Sequence, residues 1–161
     1  MKREIKFRAK AINNEFFQGE WVEGYYAKVL WSGNLVDIIT DGAHEIPIQI
    51  ETLGQFTGLR DKGGKEIYEG DIIKVTSYDN IGISDCFYII NELQEFSIQD
   101  LKGELGKEEI GEVKFEDGEF IFLDYHLAAF FGDMRFSNPI FDFEIIGNIY
   151  DTPELLKGEK Q

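Results

Sequence analysis

The chain predicts a mostly β fold: one antiparallel domain, barrel-like, with a single short helix and one variable insertion. Three observations carry this expectation. Short runs alternate apolar and polar residues with the period of two of a strand that buries one face. Clusters of Gly, Asn and Asp separate the runs and are suited to folding strands back on themselves. Aromatic residues, which suit pleated surfaces, make up 14% of the chain, with 14 Phe and 7 Tyr. At 161 residues the chain is long enough for one domain with a real core and short for two, so residues 1–161 are expected to form a single domain.

Taken in order, REIKFRA alternates, with Ile5, Phe7 and Ala9 on one face and Glu4, Lys6 and Arg8 on the other. Asn13 and Asn14 supply a turn. EWVEGYYAKVLW keeps the same period: Trp21, Tyr25, Ala27, Val29 and Trp31 share one face, while Val22, Tyr26 and Leu30 share the other with Gly24 and Lys28. A strand this apolar on both faces belongs in the middle of a covered sheet or against a partner. Ser32, Gly33 and Asn34 then close a hairpin into LVDIIT, and Asp41 with Gly42 marks the next turn. Pro47, which cannot donate to a ladder, places IPIQI at a sheet edge.

The most patterned stretch is TGLRDKGGKEIYEGDIIKV. Gly58, Gly63, Gly64 and Gly70 read there as backbone devices at tight turns, Gly63 and Gly64 needing positive φ, and Asp71 follows Gly70 at a second turn of the same kind. Residues 78–109 fit the pattern least and read as a variable insertion, in which CFYII is a strand, NELQEFSIQDLKGEL has weak helical spacing and KGELGKEE is a charged loop. GEVKFEDGEFIFLD is the clearest hairpin, turning at Asp117 and Gly118. Leu127, Phe130, Phe131 and Met134 fall at i, i+3, i+4 and i+7, which predicts a short helix over Tyr125 to Met134. FEIIGNIY is a last strand, followed by a helical turn with Thr152 as N-cap and Pro153 at its first position.

Charge narrows the function. Lys and Arg total 16 against 31 Asp and Glu, a formal net charge of −15. A field of that sign repels phosphate, so direct DNA binding is not expected. The exception to weigh is an N-terminal basic ridge of Lys6, Arg8 and Lys10, which share strand parity; solvated strand-edge charge is the plainer reading. MKREIKFRAK lacks the apolar core of a signal peptide and no apolar run reaches a membrane span, so a cytoplasmic protein with no membrane contact is expected. The single cysteine, Cys86, lies in an apolar run and reads as a buried thiol rather than a reactive one.

No catalytic, cofactor-binding or metal-binding residues are expected. His44 and His126 lack zinc spacing. Asp124 and His126 would share a face on a strand, but Asp124 reads as the N-cap of the helix expected there. DKGGKEIYEGDI places Gly63 and Lys65 where a calcium loop needs oxygen ligands, and the GGK sequence lacks the phosphate-loop spacing.

EIKFRA, GEWVEGYY, DGAHEIP, GQFTGLRDKGGKEIYEGDIIKV and EIIGNIYDTPELL, in this order, resemble the YopX family of bacteriophage and prophage proteins, with residues 78–109 matching nothing. The resemblance implies a small, mostly β, phage-borne protein acting in a bacterial host cell, in a family whose biochemical role is not established. The sequence therefore points to a non-enzymatic interaction or assembly module, a homo-oligomer whose β surface binds another protein. Trp21, Tyr25 and Trp31 are its candidate contacts, because these strands carry more apolar surface than one sheet face hides. The alternative is a nucleic-acid-directed role, through the basic ridge or by acidic mimicry of DNA that regulates a DNA-binding protein.

Overall fold

The computed structural model describes residues 4–78, 105–123, 125–126 and 141–157. The described chain is mostly β and every named strand pairing is antiparallel. Its strands fall into two open sheets, so the expected barrel does not close. Two compact units result, one of residues 1–59 and 66–70, the other of residues 60–65 and 71–161. No helix among the described residues is long and apolar enough to cross a membrane.

The first sheet contains β1 (Phe7–Lys10), β2 (Trp21–Trp31), β3 (Asn34–Thr40), β4 (Glu45–Pro47), β5 (Gly54–Arg60) and β6 (Glu66–Tyr68), in the spatial order β4-β3-β2-β1-β5-β6. Register explains its core. Phe7 opposes Gly24 and Ala9 opposes Val22, while Tyr26 opposes Ile39, so these side chains share one face. There Ala9, Ile39 and Ile48 form a buried cluster ringed by Phe7, Val22, Tyr26 and Leu53. Ile38, on the opposite face, is also buried. Ile5, in contrast, precedes β1 and is exposed, because pairing starts only at Phe7. Pro47 lies in the edge strand, as its missing N–H requires; its carbonyl accepts the Ile12 N–H at 2.9 Å.

The β2–β3 turn has Ser32 at φ 49° and Gly33 at φ 86°, the twist that two-residue hairpins favour. Gly58, Gly64 and Gly70 also have positive φ. Gly63 does not, contrary to expectation. Asp61 explains this: its carboxylate accepts the Gly63 N–H at 2.8 Å and the Lys65 N–H at 2.9 Å, and the turn is completed by positive φ at Gly64. The Glu69–Gly70 turn also departs from the sequence reading. It joins strands of different sheets, β6 and β7, rather than making a hairpin.

The second sheet contains β7 (Asp71–Tyr78), β8 (Leu105–Glu116), β9 (Glu119–Phe122), β10 (Tyr125–His126) and β11 (Phe141–Asn148), in the order β10-β9-β8-β7-β11. Ile72, Ile73, Val75, Val113 and Phe122 are buried in this unit, as is Asp71 at the head of β7. Asp117 at φ 49° and Gly118 at φ 89° turn β8 into β9, repeating the geometry of the β2–β3 turn. The edge strand β11 is capped by residues 60–65 of the same unit: the Lys62 N–H donates to the Phe143 carbonyl at 2.9 Å, and the Ile145 N–H donates to Asp61 at 3.3 Å. An ion pair between Lys62 and Glu144, 2.8 Å, closes the cap.

Two further expectations are corrected. Residues 105–109, read as charged loop, begin the longest strand among the described residues, because Tyr78 to Thr76 provide a partner ladder for Leu105 to Glu108. Tyr125 and His126, read as the start of a helix, pair with Phe122 and Ile121 as β10; Leu127 to Met134 lie outside the described residues. Thr152 directly precedes the final 3-10 turn, Pro153–Lys157, and its hydroxyl accepts the Asn148 N–H at 3.1 Å. Residues 79–104, including Cys86, and Asp124 lie outside the described residues.

Candidate interaction surface

The side chains that stand out belong to the β2–β3 hairpin, and its register shows why. β1 accompanies β2 only as far as Gly24, and β4 accompanies β3 only from Ile38 to Thr40. Beyond those points, among the described residues, the pairs Val29–Val36, Leu30–Leu35 and Trp31–Asn34 meet no further strand, while at Lys28–Asp37 the Asp37 carbonyl still accepts the Ile48 N–H at 3.0 Å. The hairpin thus continues as a two-stranded ribbon, and its apolar side chains lose the neighbours that would bury them. Leu30 and Leu35, opposite one another, are 68% and 69% exposed. Tyr25 and Trp31, on the other face, are exposed as well.

Of the three contacts expected from sequence, Tyr25 and Trp31 are therefore on the surface, whereas Trp21 is engaged within its own sheet. The Arg8 guanidinium lies 4.7 Å from the Trp21 ring centroid and 4.7 Å from that of Tyr68, stacked between the two. Lys10 lies 5.5 Å from the Trp21 centroid, and Phe56 packs on Tyr68 with centroids 5.5 Å apart. Lys6 completes the row with ion pairs to Glu23 at 2.8 Å and Glu66 at 2.7 Å, and Tyr68 donates its hydroxyl to Glu66 at 2.7 Å. Burial pulls the Lys6 ammonium toward neutrality, but the hydrogen bonds to Glu23, Glu66 and Tyr68 outweigh it and its pKa is raised. The Tyr68 phenol is pushed up by burial and by Glu66. The basic residues of β1 and its approach are thus matched to carboxylates and rings.

On the ribbon, Asp37 accepts the Tyr26 hydroxyl at 2.5 Å and pairs with Lys28 at 3.2 Å. The Tyr26 hydrogen bond holds the Asp37 carboxyl below its ordinary range, and Asp37 in turn pushes the Tyr26 phenol up. The phenol thus keeps its proton and the carboxylate its charge at neutral pH, and their hydrogen bond ties β2 to β3. Asp41 and His44 approach to 3.0 Å at an exposed turn. There the His44 ring, followed by the His44 and Ala43 N–H groups, holds the Asp41 carboxyl well below the usual range. Those contacts brace the loop. Among the described residues, no three His, Cys, Asp or Glu side chains stand together as a metal site. Asp61, in the segment weighed as a calcium loop, already accepts backbone N–H groups of Gly63, Lys65 and Ile145.

Sequence reasoning missed Leu30 and Leu35. Alternation put Leu30 on the face of Val22 and Tyr26, which is correct. The register of β1 then leaves that face uncovered at Leu30, and no local pattern signals where a neighbouring strand stops.

A crystal structure of protein EF1440 from Enterococcus faecalis is similar to the chain at 22% identity with a TM-score of 0.47, the match covering 96% of this chain and 99% of that one. No curated protein matches it. The family model described as YopX protein matches residues 6–157, nearly the whole sequence and all of the strands described above, so the chain belongs to the YopX family.

Proposed function

We propose that the protein is a non-enzymatic interaction or assembly module, carried by phage or prophage and acting in the cytoplasm of the bacterial host, with the outer half of the β2–β3 hairpin as its contact surface. One observation carries the reading: Leu30, Trp31 and Leu35 are all exposed on a ribbon that, among the described residues, pairs with no further strand, and Tyr25 is exposed nearer its base. Surface leucines scattered singly need no explanation, whereas several large apolar side chains grouped on one projection mark a binding surface. The embedded Lys28, Asp37 and Tyr26 hydrogen bonds support it further, because they stiffen the ribbon before any partner arrives.

The nucleic-acid-directed reading draws less support. In its DNA-contacting form the ridge it needs is Lys6, Arg8 and Lys10, and these contact Glu23, Glu66, Trp21 and Tyr68; the form in which the acidic surface mimics DNA needs no such ridge and would show as capture of a DNA-binding protein with no binding to DNA itself. Affinity capture from lysogenic cells, comparing the wild type with Leu30→Lys/Leu35→Lys, tests the proposal. Partners retained by the wild type and lost by the variant are expected, and identical captured sets would refute the hairpin as the surface. Binding to DNA that falls steeply with added salt would favour the second reading.

A further inference from the structure

The charge around this hairpin differs from that of the rest of the chain, and the difference specifies what covers it. From Gly24 to Thr40 the sequence contains one cation, Lys28, and one anion, Asp37, so its net charge is zero within a chain of −15. Those two charges face each other across the ribbon at 3.2 Å. Lys28 and Asp37 share a face with Leu30 and Leu35, because positions 28 and 30 of β2 oppose 37 and 35 of β3. That face therefore presents an apolar row at the tip and, one pair behind it, a cation beside an anion.

We infer that this face closes against the same face of a second copy about a two-fold axis, building on the proposal that the hairpin is the contact surface. Two copies of a strongly acidic chain repel across most of their surfaces, and can approach with least penalty where the local charge cancels. A basic partner would gain most from the acidic surface elsewhere, and gains nothing from a neutral ribbon. A face holding one Lys, one Asp and an apolar row is self-complementary: a two-fold axis lays leucine on leucine and brings each Lys28 toward the other copy's Asp37. The ribbon extends past β1 and β4, so their strand ends do not block the approach.

Sedimentation velocity of the full chain across the micromolar range tests this. The expected result is a doubling of the 18.5 kDa mass, with association tightening as salt rises, because screening removes repulsion between like-charged copies. Leu30→Lys/Leu35→Lys should weaken association at least about 100-fold by placing two ammonium groups in the apolar contact. Leu30→Ala/Leu35→Ala should give a smaller loss in the same direction, which keeps the test valid if the lysine pair perturbs folding. Phe16→Lys, at an exposed position outside the hairpin, should leave the dimer intact. A monomer at every concentration, a dimer indifferent to both leucine pairs, or association weakened by salt would each overturn the inference. A monomer whose captured partners still depend on Leu30 and Leu35 would overturn self-closure and leave the interaction module standing; a monomer with no such partner would remove both.

Discussion

Two hairpins of this chain turn in the same way and differ in what they present. In β2–β3 and in β8–β9 the two central turn residues both have positive φ, with Ser32 and Gly33 in one and Asp117 and Gly118 in the other. The pair next to the turn is Trp31–Asn34 in the first and Glu116–Glu119 in the second; the pair behind it is Leu30–Leu35 in the first and Phe115–Phe120 in the second. Phe115 and Phe120 pack with centroids 4.9 Å apart, and Phe120 is only 8% exposed. The second hairpin thus buries one apolar partner and ends in carboxylates, whereas the first leaves both leucines in water and ends in tryptophan. A tight hairpin does not require an apolar tip, as β8–β9 shows. The apolar tip of β2–β3 therefore needs an explanation outside hairpin geometry, and contact with another surface supplies one.

The largest expected effect is at the equivalent position itself. Phe120→Ala removes a buried ring and should destabilise the protein by about 3 kcal/mol. Leu35→Ala, made at the matching place in the other hairpin, should change the stability of the monomer by no more than about 0.5 kcal/mol. Urea denaturation followed by circular dichroism compares the two, and equal losses would erase the distinction between the hairpins.

The base of the β2–β3 hairpin should be as intolerant as its tip is tolerant. A Cβ built at Gly24 would collide with the Thr40 carbonyl oxygen and come within 3.0 Å of the Ile39 side chain. Backbone cannot rotate away as a side chain can, so Gly24→Val should cost about 2 to 3 kcal/mol and lower Tm by roughly 5 to 10 °C. A Tm within a degree of wild type would mean that the two strands separate there at little cost.

The turns themselves should respond alike. Beyond the adjoining residues nothing described lies within 4 Å of a Cβ at Gly33 or Gly118, and both residues have left-handed φ, so the cost of alanine there is conformational and not steric. Gly33→Ala and Gly118→Ala should each cost about 1 kcal/mol. A clear inequality would show that one turn is relieved by a contact the other lacks.

These turns were legible in the sequence because Ser-Gly-Asn and Asp-Gly state a backbone requirement within two or three residues. Pro47 was legible at its edge for the same reason, since a missing donor is a local fact. What eluded the sequence was anything set by register. Arg8, Trp21 and Tyr68 stack only because β1 brings distant segments together, and their separations in sequence follow no periodicity. Leu30 shares its parity with the half-buried Tyr26, yet the strand that would cover it ends at Phe7 opposite Gly24. The Glu69–Gly70 turn has the chemistry of a hairpin, and turn chemistry does not say whether the next strand continues a sheet or begins another. β8 was misread over residues 105–109 because its charged residues look solvated, and a strand can carry them on an exposed face while its backbone pairs.

The smallest expected effect separates the two sheets by pH. Lys6 and Tyr68 both have raised pKa values in the folded state; Tyr68 ends β6 of the first sheet and Lys6 immediately precedes β1. For each, the folded chain holds its proton above the pH at which the unfolded chain releases it. Stability from these groups is therefore complete below the unfolded values, roughly pH 10 for both side chains, and declines as pH rises through the folded ones. The loss should be modest, because 23% of the Lys6 side chain remains in contact with water and its two ion pairs are partly screened. Trp21 and Trp31 are the two tryptophans of the chain and both lie in the first sheet, so their fluorescence reports on it selectively. Thermal melts followed by tryptophan emission should shift downward between neutral pH and about pH 11, and Lys6→Met combined with Tyr68→Phe should flatten that dependence by removing both titrations. Glu144, in the second sheet, behaves oppositely: its pairing with Lys62 lowers its pKa, so the stability it contributes is present above the unfolded carboxyl value and is lost as pH falls through the folded one. An alkaline dependence as steep in the double variant as in the wild type would show that the cluster around Arg8 does not set the alkaline limit of its sheet.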